Sequence, residues 1–432
     1  MKNLSLRLLT CSAALCGLLT FSQTADAAGF YIQEQSVSGL GAAFAGQVST
    51  PRDASILYFN PAGISRLDSA QVNIGVNFLY PELELKDTGT ALNGANAFAP
   101  GSGPIGTDNG GNPGSLTPVP NLHIVAPITE DNKLWLGLGV AAPFGLGSKY
   151  HDDYFARFDS TESDLQTIDF LPSISYAPND RFSIGASMII EYAHADLKRS
   201  APAQVALNTV AELDSVLKGN DWGMGFDVGV MYEPWDGTVF GANYRSNVQQ
   251  NLEGQIYLQG QVNARGTAEL ELPDIATLGV THEFNDRWTG LLQGTWFGWS
   301  SFDQIQPVLA NGTALSPVLQ DYDNTFAIAV GGEYTLNDDW VLRAGYQFDQ
   351  TPTTDEYRTT LTPDGDRHWI STGATYDIND RFSLDLAATY IFIEEEDINL
   401  QRGAGTTNTT TVSARTESPS VLIGAVALNY KF

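Results

Sequence analysis

Cysteine is almost absent from this 432-residue chain, which has two, Cys11 and Cys16. Basic residues are scarce as well: 22 Lys and Arg stand against 50 Asp and Glu, a formal charge of −28. A nucleic-acid binder must present clustered Lys and Arg to phosphates, so nucleic acid is excluded as a partner. Helical membrane proteins need ~20 consecutive apolar residues per span, and the one long apolar run lies at the extreme N-terminus. The five histidines, His123, His151, His194, His282 and His368, show no His-x-x-x-His spacing, and no Gly-x-Ser-x-Gly elbow occurs. Catalytic residues, metal ligands and cofactors are therefore not expected. Gly137-Leu138-Gly139-Val140-Ala141-Ala142 matches a dinucleotide fingerprint, but no long helix with a ribose-binding acid follows it. What the chain does have is 42 Gly, 43% hydrophobic residues and 11% aromatics. That is ample apolar surface to bury, which argues against disorder and for a mostly β protein.

The N-terminus reads as a signal peptide over residues 1–27. Lys2 and Arg7 form a positive region, Leu8 to Phe21 a short apolar core, and Ala25-Asp26-Ala27 a small-residue cleavage site. A transmembrane anchor is the rival reading, but the run is too short and has no positive flank behind it. Cleavage after Ala27 removes both cysteines, and neither sits in a lipoprotein pattern, since Thr10 and Leu15 precede them. The mature chain then has no thiol chemistry. Losing Lys2, Arg7 and Asp26 leaves 20 basic and 49 acidic side chains, a charge of −29.

Alternation of apolar and polar residues runs through the remainder. Val72, Ile74, Val76, Phe78 and Tyr80 share one parity, with Gln71, Asn73 and Asn77 on the other; Phe182–Tyr192, Trp222–Tyr232 and Phe382–Phe392 repeat the pattern. A soluble sandwich also alternates, but runs of ten or more residues with aromatic tips suit strands that cross a bilayer between two aromatic girdles. Asn179-Asp180-Arg181-Phe182, Asn285-Asp286-Arg287-Trp288, Asn337-Asp338-Asp339-Trp340 and Asn379-Asp380-Arg381-Phe382 are near-copies of one tight turn. Glu130-Asp131-Asn132 and Pro234-Trp235-Asp236-Gly237 fit the same role. Six tight turns on one side imply seven outer loops and fourteen strands. The expected fold is an all-β, fourteen-stranded antiparallel transmembrane barrel over residues 70–432, ending at an interface on Phe432. Modest hydrophobicity is what such a barrel requires, because only alternate residues face lipid. A lumen this wide is not filled by wall side chains alone. Residues 28–69, with the small-residue run Gly39 to Gly46, are the candidate hatch that plugs it.

The motifs Ala28-Gly29-Phe30, Ser38-Gly39-Leu40-Gly41, Asn60-Pro61-Ala62, Pro120-Asn121-Leu122-His123, Trp222-Gly223-Met224-Gly225-Phe226, Tyr244-Arg245-Ser246 and Pro363-Asp364-Gly365-Asp366-Arg367 occur in this order along the mature chain. As a collinear set they resemble the long-chain fatty acid transporter (FadL/TodX) family of outer-membrane proteins. The resemblance implies passive uptake of a hydrophobic small molecule in the outer membrane of a Gram-negative bacterium. The steps would be capture between outer loops, transfer to a tighter site beside the plug at Phe30, and sideways exit through the wall. Asn60, Pro61 and Ala62 would gate the hatch.

Specific residues suit those roles. The resemblance places an inward kink at Pro143, Phe144 and Gly145, where proline removes a ladder donor and glycine permits bending; the alternative is an ordinary strand end below a loop. Ala206, Val210, Leu213 and Leu217 have helical spacing, so the third outer loop is expected to carry a short amphipathic helix; the resemblance implies a capture groove between it and a loop over about 250–268. That stripe suits a lipid tail, or else packs on its own loop. Arg199 is the carry-over for a fatty-acid carboxylate, but no second cation occurs from Ser301 to Leu342, which leaves room for a neutral aromatic or alkane hydrocarbon. A general porin and an outer-membrane lipase are the remaining alternatives. The barrel is expected to be a monomer in contact with lipopolysaccharide.

Overall fold

The computed structural model describes residues 29–92, 108–206, 209–258, 261–315, 317–402 and 409–432; the expected signal peptide lies outside them. Fourteen wall strands follow one another in antiparallel order. They are β1 (Gln71–Asp87), β2 (Thr117–Pro127), β3 (Leu134–Ala141, continued by Gly145–Lys149), β4 (Glu162–Asn179), β5 (Phe182–Ala206), β6 (Thr209–Trp235), β7 (Thr238–Arg245, continued by Val248–Leu258), β8 (Gln261–Leu272, continued by Ile275–Glu283), β9 (Trp288–Phe297), β10 (Thr325–Asn337), β11 (Trp340–Asp349), β12 (Arg367–Asn379), β13 (Phe382–Ile393) and β14 (Thr410–Lys431). β14 returns to β1 with Gln71 opposite Lys431 and Tyr80 opposite Leu422, and Phe432 N donates to Ala70 O at 3.0 Å. Closure leaves no free edge, the condition for strands to cross hydrocarbon.

The wall is apolar outside and polar inside. On β1, Ile74, Phe78 and Tyr80 are exposed while Gln71, Asn73 and Asn77 are buried. The buried polar residues bond across the lumen face: Asn73 Nδ2 donates to Asn429 Oδ1 and Asn429 Nδ2 to Asp385 Oδ2, both at 2.5 Å. The repeated turns share one local cause. Asn179, Asn285, Asn337 and Asn379 each accept the backbone N–H two residues on at 3.0 Å, an Asx turn that needs Asn at that place. The aromatics that follow pair across strands at this rim, as Trp288 with Tyr334 and Trp340 with Tyr376, both 4.6 Å between ring centroids. All six tight turns lie between the strands the sequence assigned to them.

The third outer connection differs from expectation. Among the described residues of 202–218 there is no helix: β5 and β6 run on as a paired ladder, with Leu213 opposite Ala201 and Leu217 opposite Leu197. The described residues of 250–268 are likewise strand, β7 and β8 paired from Val248–Leu272 outward. A lone amphipathic turn or two of helix is marginal in water, whereas here each extended residue gains ladder partners on a template the wall already supplies.

Candidate functional site

Residues 29–69 thread through the lumen. Two short helices, α1 (Val37–Leu40) and α2 (Ile56–Phe59), and a 3-10 helix (Pro61–Arg66) are linked by turns, and nearly every residue from Phe30 to Ile64 is buried. Asn60 begins the 3-10 helix: its Oδ1 accepts from Ala62 N at 3.1 Å, with Pro61 in the first helical position. Its Nδ2 donates to Val48 O at 2.7 Å and to Val230 O of the wall at 3.2 Å. The wall makes room with glycine. A Cβ at Gly185 would fall on the Pro61–Ala62 peptide, one at Gly241 on the Val48 carbonyl, and one at Gly345 on the Ala42 carbonyl. Charge holds the far side. Glu333 Oε1 accepts from Arg52 Nε of the hatch at 2.5 Å and from Arg343 Nε of the wall at 2.7 Å, with all three side chains largely buried. Burial pushes the Glu34 carboxyl up to about 7, against the opposing pull of nearby backbone N–H groups and Arg367.

The wall is interrupted at β3. Its pairing with β2 stops at Leu122 opposite Val140, although β2 continues to Thr117 against β1. Ala142, Pro143 and Phe144 leave the ladder, and the hatch takes over as their partner. Ile32 N donates to Pro143 O at 2.7 Å, Gly145 N to Phe30 O at 2.9 Å and Gln35 Nε2 to Ala142 O at 2.8 Å. On the other side Phe144 stays tied to β4, through Thr167 N to Phe144 O at 2.9 Å. Pro143, Phe144 and Gly145 are therefore an inward break rather than a strand end, and β3 resumes beyond them at Gly145–Lys149. Gln35, which staples the break, carries no signal in the sequence.

Beside this break lies a narrow apolar slot, largely filled by its own side chains, with a cavity volume of about 40 Å³. Phe30 closes its inner end, packed edge-on against Trp299 at 4.8 Å and Phe302 at 5.1 Å. Leu146, Leu165, Leu197, Leu217, Leu252 and Leu270 are among its walls. Of the expected stripe, Leu217 reaches the slot; Ala206, Val210 and Leu213 lie on the outer hairpin, their side chains outside the described residues. Arg199 stands two residues outward of Leu197 on the same strand face, opposite Ser215. The slot draws on β3 to β8, the hatch and two loops, a convergence invisible to motif reading. Above it the first outer connection is fastened by Asp108, whose carboxyl is held below its ordinary range by the Gly110 N–H and by His151.

A model of the outer membrane protein transport protein family (OMPP1/FadL/TodX) matches residues 18–432. The long-chain fatty acid transport protein of Escherichia coli K12 is 27% identical over 433 residues, covering 91% of this chain and 94% of that protein. Outer membrane protein P1 of Haemophilus influenzae (strain ATCC 51907 / DSM 11121 / KW20 / Rd) is 30% identical over 451 residues, covering 94% and 96%. Among solved structures, a Pseudomonas aeruginosa FadL homologue superposes with a TM-score of 0.85 at 25% identity, covering 94% of this chain and all 100% of the other. The Ralstonia pickettii toluene transporter TbuX shares the fold, with a TM-score of 0.65 at 17% identity over 91% and 100% of the two chains. A closed fourteen-strand barrel with a threaded lumen, an inward break in its third strand and a family match over nearly its whole length place this chain in the outer membrane protein transport family (OMPP1/FadL/TodX), in the outer membrane of a Gram-negative cell.

Proposed function

We propose that the protein imports long-chain fatty acids, passively, from the outer face into the bilayer. The observation that carries this reading is the continuity at Phe30: its ring closes the apolar slot while its carbonyl accepts the hydrogen bond of Gly145 at the break in β3. A tail resting in the slot is thus one residue away from the wall opening. Each methylene removed from water contributes about 0.8 kcal/mol, in the slot and in the bilayer alike. Transfer between the two is nearly level and the whole route from water is downhill, so no energy input is needed. Arg199 at the mouth supplies the cation for the carboxylate, which stays on the wet side while the tail enters. Displacement of the 30–35 segment from Ala142–Gly145 opens the sideways exit, with Asn60, Pro61 and Ala62 as the anchor about which the hatch yields. Relatives that match over nine-tenths of the chain, such as that of Escherichia coli K12, are named long-chain fatty acid transport proteins, which supports this reading.

A neutral hydrocarbon is the second reading, favoured by the mostly apolar lining of the slot and by the toluene transporters among the fold neighbours. Uptake of labelled oleate, hexadecane and toluene by a host lacking its own transporter decides between them. Oleate uptake is expected; hydrocarbon uptake alone selects the second reading, and failure of all three rejects transport.

A further inference from the structure

Three carboxyl groups and one guanidinium are enclosed together below the slot. Asp169 on β4, Glu191 on β5, Asp227 on β6 and Arg245 on β7 are each at most 4% exposed. Asp169 stands directly opposite Glu191 in the ladder, and Asp227 directly opposite Arg245. All four side chains spend part of their hydrogen-bonding capacity on a neutral or opposite partner. Arg245 Nη2 pairs with Asp169 Oδ2, Gln250 Nε2 donates to Glu191 Oε1 at 2.9 Å, and Asn243 Nδ2 donates to Asp227 Oδ1 at 2.7 Å. One oxygen is then left bare on each of the facing carboxyls, Asp169 Oδ1 and Glu191 Oε2, and neither accepts a bond from any described group. The two side chains project from facing positions of the β4–β5 ladder, and both are fully buried.

Two like charges opposite each other in a ladder repel, and desolvation raises the cost of each. One proton between the two bare oxygens removes the repulsion and gives both a partner, with the titration belonging to the pair. We propose that Asp169 and Glu191 form a proton-binding site, holding one proton between Asp169 Oδ1 and Glu191 Oε2, and that this proton keeps the wall shut at the break in β3. The connection is short. Asp169 is opposite Ala141, the last residue of β3 before the break, and Thr167, two residues away, bonds Phe144 on both its N–H, at 3.0 Å, and its carbonyl. The other titratable or charged groups that face the pair are Asp227 and Arg245 of the wall and, from the hatch, Tyr58 and Tyr31. Arg245 lies 5.3 Å above the Tyr58 ring, Tyr58 donates to Tyr31 at 3.3 Å, and Tyr31 bridges to Phe144. Loss of the proton puts a second negative charge into this enclosure and drives β4 from β5 where β4 holds the break.

The gating half rests on the transport reading; the proton site does not, and the test separates them. Infrared difference spectra of the purified mature barrel between pH 6 and pH 9 should contain a protonated-carboxyl band that is lost in both Glu191→Gln and Asp169→Asn. Identical carboxyl bands in wild type and both variants overturn the site. For the gate, hexadecane is the probe because its own charge does not change with pH. In a Glu34→Gln background, which removes the hatch's own titration, uptake should rise several-fold from pH 6 to pH 9 and stay level once Glu191→Gln is added, whose amide donates permanently to Asp169. Superimposable pH profiles overturn the gate. A barrel that has the band but carries neither hexadecane nor oleate at any pH refutes the transport reading, and the gate with it, while the proton site stands.

Discussion

Glu333→Gln should loosen the hatch without unmaking the barrel. Glu333 is the single carboxylate shared by Arg52 of the hatch and Arg343 of the wall, at 2.5 and 2.7 Å. Removing one partner from a buried ion pair costs about 3–5 kcal/mol, because the surviving charge is left uncompensated. Arg343 keeps a neighbour in Asp385 at 3.8 Å, so the loss falls mainly on Arg52, whose remaining side-chain partner is Gln47 at 2.7 Å. If the hatch must leave its seat before a buried side chain in it becomes reactive, a cost of about 3–5 kcal/mol at about 1.4 kcal/mol per tenfold raises the open fraction by roughly two to three and a half powers of ten. Residues 28–432 contain no cysteine, which offers a clean way to read this. Ala54 is fully buried two residues from Arg52, and Ala54→Cys makes its thiol the sole target for a water-soluble maleimide. Labelling in the Glu333→Gln background should accelerate by that factor under conditions where the heat-modifiable gel shift of the folded barrel is unchanged. Equal labelling rates in the two backgrounds would refute the claim that this pair holds the hatch.

Gly345→Val should collide with the Ala42 carbonyl and cost at least the 1–3 kcal/mol typical of overpacking, read as a lowered denaturation temperature, whereas Gly424→Ala, with nothing near its Cβ position, should leave it unchanged. Replacing Pro143-Phe144-Gly145 by strand-forming residues should abolish oleate uptake in a barrel that still folds; unchanged uptake removes the lateral exit. Arg199→Gln should weaken oleate binding by about 1.5–3 kcal/mol, the worth of a hydrogen bond to a charged group, and leave hexadecane binding alone, as isothermal titration of both ligands would reveal. Glu34 is raised in the folded state to about 7, so its protonated form is the one the fold favours. Hatch stability should therefore be highest at acid pH, fall as pH rises from the ordinary carboxylate range through about 7, and level off above. The Ala54→Cys labelling rate should follow that curve, and Glu34→Gln should flatten it.

Much of the barrel was legible because its causes are local or strictly periodic. Lipid on one face and a polar lumen on the other impose a period of two, so Ile74 and Phe78 could be assigned outward and Asn73 and Asn77 inward from the sequence. The Asn-initiated turns are self-contained, and counting them yields fourteen strands. The hatch followed from a lumen too wide for wall side chains and from the small-residue run Gly39 to Gly46, whereas Phe30 and the inward break at Pro143, Phe144 and Gly145 came from resemblance, since composition alone left an ordinary strand end open. The stripe Ala206, Val210, Leu213 and Leu217 misled, because helical spacing in a short segment says nothing about a neighbouring strand that offers ladder partners.

The sequence by itself determined the wall: strand number, antiparallel order, which residues meet lipid, and the acidic, thiol-free character of the mature chain. The tertiary structure alone decided what the wall encloses. Glu333 bridging two arginines, Gln35 stapling the break, a slot assembled from six strands, and Asp169 opposite Glu191 all join residues far apart in the chain. Their positions depend on register and on closure of the barrel, which no local pattern encodes.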